Sequence, residues 1–459
     1  MNIESLYHVL QSQINDQNFS QRIGEIIQES LSAVDPYSCI KNALHLEDGN
    51  LYVDHHRFPL DSYDRVVLLS IGKAANAMGK AVYGILGERL SDGILVCKTA
   101  FRSEDVFPTF ITQFTGGHPI PNQGSVDAGK AVLNLLQDLT DSDLVIFCIS
   151  GGGSALVTHL PEEISLNDLQ ALTRLMLENG CSIDEINTIR KHLDMVKGGG
   201  LAKAAYPAAM ITLILSDVVG NPLGMIASGP TVPDKTHFLD AIGILEKYHL
   251  LSRTPKPILA YLKRGIAGEV PETPKPDDPI FNNTLSLIVG SNVTAAEAGA
   301  KKAVDLGFSS KVLTTRLQGD ARKVGADLGK TLRALVAKDA PFDQPICLIA
   351  GGETTMTLTG AGSGGRNLEV ALAAAKEIDG LEDVVFISLA TDGEDGPTDA
   401  AGAVVTGRTL AAVREKEISI EKILLENDTY HLFEPIDALI KIGPTGTNVN
   451  DLNFLIAVF

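Results

Sequence analysis

The stretch LVIFCISGGGSALV, Leu144 to Val157, joins an apolar run to three consecutive glycines between Ser150 and Ser154. Such a run is typical of a strand buried on both faces, followed here by a turn into a helix. Successive glycines let backbone N–H groups converge on an anion, and a helix N-terminus adds positive potential. A nucleophile elbow would need a second glycine two residues after Ser154, where the sequence has Leu156. We therefore interpret this loop as a phosphate-binding loop, with a simple tight turn as the alternative.

Apolar runs alternate with helical periodicity on both sides of this loop. A strand is predicted at residues 65–72, and others follow before residue 216. A proline-rich, acidic stretch at 268–283 interrupts the pattern, which then restarts. The fold class predicted is α/β, with two Rossmann-like domains at residues 1–275 and 276–459. We expect mostly parallel sheets flanked by helices, with ligands beyond the carboxyl ends of the strands.

The composition narrows the class of partner. A formal net charge of −19 argues against nucleic-acid binding, which normally requires a basic surface. No apolar run approaches the roughly 18 residues of a membrane span, and no signal peptide is apparent, so a cytoplasmic protein without membrane contact is expected. The five cysteines form no CxxC pair that would indicate a zinc site. An anionic substrate would need a local cluster of Lys and Arg.

Three places in the chain supply candidate cations. Lys73 follows a predicted strand at the start of a helix, where a positive charge is unfavourable, which favours a functional role over a surface one. Arg190 and Lys191 belong to the densest basic stretch, although a solvated helix face would also explain it. Arg366 begins another predicted helix, where it would suit a phosphate or a carboxylate.

Two aspartates are candidate metal ligands. Asp217 and Asp392 each follow a predicted strand, where a carboxylate can hold Mg²⁺ or accept a substrate proton, or simply form a turn. The residues from Asp392 onward resemble a calcium loop, but Ala403 stands where its bidentate Glu would be. Nearby, residues 360–365 match Gly-x-Gly-x-x-Gly, although no acid at the spacing of a dinucleotide site follows.

Eight motifs taken together resemble the class II glycerate 2-kinase family, whose C-terminal half is called the MOFRL domain. They run in order between about residues 70 and 452: GKAANAMG, GGHPIPNQGS, SGGGSAL, IRKHLDMVKGGGLA, SDVVGNPLGMIASGPTVPD, GGETT…GSGGRNLE, ATDGEDGPTDAAGA and GPTGTNVNDL. The resemblance implies phosphorylation of D-glycerate to 2-phosphoglycerate by ATP with Mg²⁺. It also implies an active site in a cleft between two α/β domains.

The resemblance gives roles to the candidate residues. It implies Lys73 and Arg366 as key catalytic residues, and with it we expect Arg190 and Lys191 to bind substrate. Asp217 and Asp392 are the candidate metal ligands. One of them could instead accept the substrate proton, and Asp217 is the candidate for this catalytic role. The nucleotide-binding loop would comprise Ser150, Gly151, Gly152, Gly153 and Ser154.

Other functions remain open at this stage. An NAD(P)-dependent hydroxypyruvate reductase would use the glycines at 360–365, and a kinase could instead form 3-phosphoglycerate. A sugar-phosphate sensor without activity is the third alternative. The sequence leaves the oligomeric state undetermined, with a homodimer as one option.

Overall fold

The computed structural model describes residues 2–99, 106–337 and 344–457. The chain forms two compact units. The parallel-sheet unit comprises residues 36–216 and 221–289, and the mixed-sheet unit comprises residues 1–35, 217–220 and 290–459. Among the described residues, no helix is both long and apolar enough to cross a membrane.

The parallel-sheet unit contains a six-stranded sheet in the order β6-β5-β4-β7-β8-β9. Its pairs β4–β5, β4–β7, β5–β6 and β7–β8 are all parallel, as predicted. The strands are β4 (Arg65–Ile71), β5 (Asp92–Cys97), β6 (Ile111–Thr115), β7 (Asp143–Ile149), β8 (Ala209–Leu215) and β9 (Thr284–Gly290). An antiparallel meander precedes them: β1 (Leu44–Glu47), β2 (Asn50–Val53) and β3 (His56–Pro59).

Helices connect these strands. Those of the parallel-sheet unit are α3 (Pro36–Ala43), α4 (Ala75–Leu86), α5 (Gln123–Leu136), α6 (Gly153–Leu156), α7 (Leu166–Glu178), α8 (Ile183–Leu193), α9 (Gly200–Ala205), α10 (Phe238–Lys247) and α11 (Lys256–Ile266). The chain runs from β4 outward through β5 to β6, and then returns to place β7 on the other side of β4. The strand order therefore reverses between β4 and β7, where open α/β sheets bind their ligands.

The sheet of the mixed-sheet unit differs from the prediction of mostly parallel sheets. Its sheet has the order β10-β11-β15-β12-β13-β14, and only the β10–β11 pair is parallel. The last strand inserts between β11 and β12 and runs antiparallel to both, so this sheet is mixed. The strands are β10 (Ser309–Leu317), β11 (Ile346–Gly352), β12 (Val384–Ala390), β13 (Gly402–Thr406), β14 (Leu439–Ile440) and β15 (Asp451–Ala457).

The N-terminal helices belong to the mixed-sheet unit, whereas the predicted boundary at residue 275 assigns them to the first domain. Phe19 packs on Phe308 with ring centroids 5.7 Å apart, and Glu25 pairs with Lys302 at 3.0 Å. An amphipathic pattern shows that a helix has a face to bury, but not which sheet covers it. The helices of this unit are α1 (Ile3–Gln13), α2 (Gln17–Ser32), α12 (Asn292–Asp305), α13 (Ala321–Val336), α14 (Arg366–Glu377), α15 (Thr409–Glu415), α16 (Ile420–Glu426) and α17 (Thr429–Phe433).

A buried ion pair fixes the start of the two central strands. Every residue of β7 is buried, including Asp143, whose carboxylate accepts bonds from Arg65 Nε at 3.0 Å and Nη2 at 2.7 Å. The Thr140 amide donates to the same carboxylate at 2.7 Å. Burial by itself would raise the pKa of the Asp143 carboxyl, but the bonds from Arg65 and Thr140 outweigh burial and hold that pKa below its ordinary value.

Replacing this carboxylate should therefore destabilise the parallel-sheet unit. We expect Asp143→Asn to lower the free energy of unfolding at pH 7 by about 1–3 kcal/mol, because Arg65 loses its charged partner. A lowered pKa means that this contribution is present above the ordinary aspartate pKa and is lost as the pH falls through the folded-state value. Urea denaturation measures the change in the free energy of unfolding.

Asp141→Asn is the control, because Asp141 is exposed in the same turn, and it should change stability by less than about 0.5 kcal/mol. An equal loss of stability in both variants would contradict this account.

Candidate functional site

The loops that follow β4 and β7 contact each other where the strand order reverses. The amide of Lys73 donates to the Gly151 carbonyl at 2.9 Å, and the amide of Ala74 donates to Ser150 Oγ at 3.0 Å. Gly72 has φ +132°, and a Cβ there would lie 2.1 Å from Ser150 Oγ and 2.6 Å from the Ser150 carbonyl oxygen. Only glycine permits this approach. We call residues 72–74 and 150–154, with the side chains around them, the switch-point site.

The glycine loop presents free donors. Within the described part of the chain, the amides of Gly151, Gly152 and Ser154 have no hydrogen-bond acceptor. Gly152 adopts φ +83°, the left-handed conformation that turns neighbouring N–H groups in one direction. Unpaired backbone donors that are partly or fully buried are uncommon in folded proteins. The loop is therefore chemically suited to an anion with several oxygen atoms.

Positive side chains surround this loop. Neither the Lys73 ammonium nor the Arg190 guanidinium has a hydrogen bond or an ion-pair contact among the residues that the structure describes. Burial lowers the pKa of Arg190, and the more distant Asp194 offsets this only in part. His118 lies against Gly152, since a Cβ there would be 2.9 Å from His118 Cδ2 and 3.4 Å from Lys73 Cγ.

The charge on His118 follows from these neighbours. Burial, the largest cause, and the charges of Lys73, Lys98 and Arg190 together lower the pKa of His118 from its ordinary value to about 4. The imidazole is thus neutral at physiological pH. The contributions of Lys73, Lys98 and Arg190, which act in addition to burial, indicate a positive local potential in a chain whose formal net charge is −19.

A chain of hydroxyl groups holds the far end of the loop. Ser228 Oγ donates to Asn187 Oδ1 at 3.1 Å, so Ser154 Oγ must donate to Ser228 Oγ at 2.7 Å. Ala227 and Ser228 both have positive φ, +49° and +63°, which is costly for residues other than glycine. Ser154 can therefore offer an anion its backbone N–H, while its hydroxyl proton is already used.

Lys191 has an ion-pair partner, whereas Arg190, which is adjacent to it on α8, has none among the described residues. Lys191 is buried, and its ammonium pairs with Asp234 at 3.3 Å. Asp234 also accepts bonds from the hydroxyls of Thr236 at 2.9 Å and Thr273 at 3.1 Å. Asp194 is likewise engaged, with the Lys197 ammonium, the Thr158 hydroxyl and the His159 amide. The predicted role of Lys191 in substrate binding stays a prediction, and in this structure its charge is already compensated.

Arg366 lies in the mixed-sheet unit at the N-terminus of α14. Its guanidinium binds Asp451 in a bidentate manner, at 2.7 Å and 3.1 Å, and contacts Glu353 at 2.7 Å. Glu353 directly follows β11 and Asp451 begins β15, so the register of this sheet brings both to one edge. Burial alone would lower the pKa of Arg366, but Asp451 and Glu353 raise it above its ordinary value.

A buried carboxyl caps the same helix. Asp395 accepts hydrogen bonds from the amides of Asn367 at 3.1 Å and Leu368 at 2.9 Å. Gly365, the residue before α14, has no side chain to do this, and a Cβ there would lie 2.3 Å from the Asp395 carboxyl carbon. Burial raises the pKa of Asp395 to about 7, against the lowering effect of these bonds. Asp395 thereby orients the first turn of α14, from which Arg366 extends.

The two candidate metal ligands each lie just after a strand. The Asp392 carboxylate accepts a bond from Asn448 Nδ2 at 3.3 Å, and Asp217 is half-buried just after β8. Among the described residues, the only three metal-type ligands within 4.8 Å of one another are Asp54, His55 and His56, in an exposed turn of the meander. Neither predicted aspartate belongs to that group of three.

The structure thus brings together Lys73, Arg190 and the 150–154 loop within the parallel-sheet unit. It places Arg366 and Asp392 at an edge of the mixed-sheet unit. The sequence prediction missed His118 and the Asn187–Ser228 pair. His118 follows two glycines and precedes a proline, a local signal that could have identified it.

Comparisons with known proteins identify the class to which this chain belongs. A family model described as a domain of unknown function, DUF4147, matches residues 22–263, and the MOFRL family model matches residues 346–451. Glycerate 2-kinase of Pyrococcus horikoshii is 42% identical, covering 93% of this chain and 94% of its own. D-Glycerate 2-kinase of Thermotoga maritima is 39% identical, covering 93% and 96%.

Two solved structures are similar to this chain in both fold and sequence. A crystal structure of glycerate kinase from Thermotoga maritima superimposes with a TM-score of 0.85 at 36% identity, covering 96% of this chain and all of that one (100%). A Pyrococcus horikoshii protein superimposes with a TM-score of 0.83 at 40% identity, covering 95% and 98%. The chain belongs to the glycerate kinase family with a C-terminal MOFRL domain.

The contact between the two loops makes Gly72 sensitive to substitution. We expect Gly72→Ala to lower the free energy of unfolding by about 1–3 kcal/mol, because the new methyl group would overlap the Ser150 main chain. Gly243→Ala, within α10, meets no atom within 4 Å and should raise stability by about 0.5–1 kcal/mol. Thermal unfolding followed by circular dichroism tests the pair. A Gly72→Ala protein as stable as the wild type would show that the loops do not approach this closely.

Proposed function

We propose that the protein is a D-glycerate 2-kinase that transfers the γ-phosphoryl group of ATP to the 2-hydroxyl of D-glycerate. The observation that supports it most directly is the switch-point site. Three amides without acceptors, a lysine and a mostly buried arginine, both without a partner among the described residues, lie there in a strongly acidic protein. A phosphoryl donor and a carboxylate substrate are both anionic, so this local charge is what they require. The 2-hydroxyl is assigned from the names of the two relatives at 39–42% identity.

The chemistry of each group in the switch-point site suits it to a different part of the substrates. The amides of Gly151, Gly152 and Ser154 would hold phosphate oxygens, and Lys73 would neutralise charge that develops during transfer. Arg190 is suited to the glycerate carboxylate, because a guanidinium can donate two parallel bonds to it. Phosphoryl transfer requires mainly positioning and charge stabilisation, so these fixed donors can supply much of the catalysis.

Arg366 remains a candidate catalytic residue on the strength of the family resemblance. Asp451 and Glu353 fix its guanidinium, and three of its contacts are charge-assisted hydrogen bonds. A rigid guanidinium loses little conformational entropy when it meets a phosphoryl group. The same contacts would keep it in position when no substrate is bound.

The donor set available for Mg²⁺ fits the ion's usual mode of binding. Mg²⁺ commonly takes one or two carboxylates and completes its shell with water and substrate phosphates, so a closed cage is not needed. Asp392 and Asp217, each just after a strand, are the residues proposed to hold it. When bound, the ion would neutralise phosphate charge.

The reductase alternative loses its structural support. The glycines at 360–365 pack against another segment of the chain: a Cβ on Gly360 would lie 2.3 Å from Glu426 Cα, and one on Gly362 would lie 2.5 Å from Asp428 Cβ. Close packing therefore accounts for glycine at these positions without a dinucleotide.

The proposal is tested by ³¹P NMR with D-glycerate, ATP and Mg²⁺. Wild type should produce 2-phosphoglycerate. Lys73→Ala and Arg366→Ala should each lower kcat/KM by at least about 10²-fold, as expected when a charge that stabilises the transition state is removed. Lys130→Ala on α5 and Lys376→Ala on α14, both exposed, are the matched controls and should retain activity.

Three results would contradict the proposal. They are 3-phosphoglycerate as the product, no phosphoglycerate at all, and reduction of hydroxypyruvate with NADPH in its place. Activity retained by Lys73→Ala would remove the assignment of that residue alone.

A further inference from the structure

We propose that His118 is the general base of the reaction and accepts the proton of the attacking substrate hydroxyl. This inference rests on the proposed kinase function and gives His118, which stands in the GGHPIPNQGS motif, a role that neither the family resemblance nor the sequence patterns assigned to it. Four observations carry it: the position of the ring, the lack of a partner for its nitrogens, the cations around it and the engagement of nearby carboxylates.

His118 sits over the loop that would hold the phosphates. A Cβ on Gly152 would lie 2.9 Å from His118 Cδ2 and 3.2 Å from its Nε2, so the ring edge touches this glycine. Gly152 is one of the residues whose amide has no acceptor within the described chain. A nucleophile that attacks a phosphoryl group bound there would therefore be within reach of the imidazole.

The backbone around His118 is held firmly. Gly116 donates to the Cys97 carbonyl at 2.9 Å, and Gly117 donates to Ser125 Oγ at 2.9 Å. A Cβ on Gly116 would lie 2.4 Å from the Leu156 carbonyl oxygen, so the segment packs directly on the end of α6. Such a segment can keep a catalytic side chain in place without help from the substrate.

The ring nitrogens are available. In the portion of the chain that the structure describes, neither His118 nitrogen has a hydrogen-bond partner. Because the imidazole is neutral, one nitrogen carries a lone pair that can take a proton. By contrast, the carboxylate of Asp194 is engaged by Lys197, Thr158 and His159, and that of Asp234 by Lys191. Within the parallel-sheet unit, those two carboxylates are poor alternatives.

Substrate binding would prepare His118 for its task. In the free protein, burial and the charges of Lys73 on the β4–α4 loop, Lys98 after β5 and Arg190 on α8 keep the pKa of His118 at about 4. Bound phosphate and carboxylate groups would neutralise these cations and so raise that pKa towards neutrality. The base would gain proton affinity as the anionic substrates bind, which links proton transfer to a loaded site.

The chemical step balances as follows. The 2-hydroxyl oxygen of glycerate forms a bond to the γ-phosphorus of ATP, and the bond from that phosphorus to the bridging oxygen breaks. ADP leaves with the electron pair, and the hydroxyl proton moves to the free nitrogen of His118. The resulting imidazolium returns its proton to water after the product leaves.

The decisive experiment measures kcat and the KM for glycerate from pH 5 to 9 in wild type, His118→Gln and His118→Ala. Glutamine keeps a polar group of similar reach but cannot accept a proton. We expect both variants to lose about 10²–10⁴-fold in kcat with KM changed less than about threefold, and to lose the acid limb of the kcat profile. Added imidazole should restore part of the activity of His118→Ala. His45→Gln, an exposed histidine on β1, is the control and should behave as wild type.

A second measurement follows the His118 ring by NMR in protein labelled at histidine. Its resonance should titrate near pH 4 in the free protein and move upward by at least about one unit with D-glycerate and ADP present. An unchanged acid limb in His118→Gln, a variant that raises KM without lowering kcat, or a ring pKa unaffected by ligands would each overturn the base assignment. Wild-type protein that forms no phosphoglycerate would instead refute the proposed kinase function.

Discussion

The close approach of the loops after β4 and β7 is the constraint on which the switch-point site depends. Two adjacent parallel strands end side by side, and their loops can meet only because Gly72 has no side chain to clash with Ser150. Beside this contact, the amides of Gly151, Gly152 and Ser154 have no acceptor within the residues that the structure describes. The cost of these unpaired donors is acceptable only if an anion or water satisfies them.

The positive charge near the switch-point site depends on which lysines and arginines are paired with carboxylates. Two cations of this region are already paired: Lys191 with Asp234, and Lys197 with Asp194. Lys73 and Arg190 have no such partner among the described residues, and their charges act on His118. An acidic protein thus concentrates uncompensated positive charge at one point of its fold. That concentration, more than any single motif, explains how it can attract two anionic substrates.

The sequence predicted the local structure of this site well and its assembly poorly. The apolar run of β7 predicted a buried strand, which the structure has, because burial is a local property. The anion loop predicted from the glycines after it stays a prediction. Hydrophobic periodicity shows where a strand lies in the sequence but not which strands pair with it. The neighbours of β7 in the sheet could therefore not be derived. The insertion of β15 beside β11 and β12 was missed for the same reason, since a final strand can pair with any open edge. His118 was not named as a site residue because the cations that act on it, Lys73, Lys98 and Arg190, are distant from it in sequence.

The measurement that most directly tests this account is a crystal structure of the protein with ADP and D-glycerate. The account predicts phosphate oxygens within hydrogen-bond distance of the amides of Gly151 and Gly152, with Lys73 beside them. The glycerate hydroxyl should lie near a nitrogen of His118. Phosphates bound elsewhere, with those amides contacting only water, would contradict the claim that the switch point between β4 and β7 is where this protein binds its phosphoryl donor.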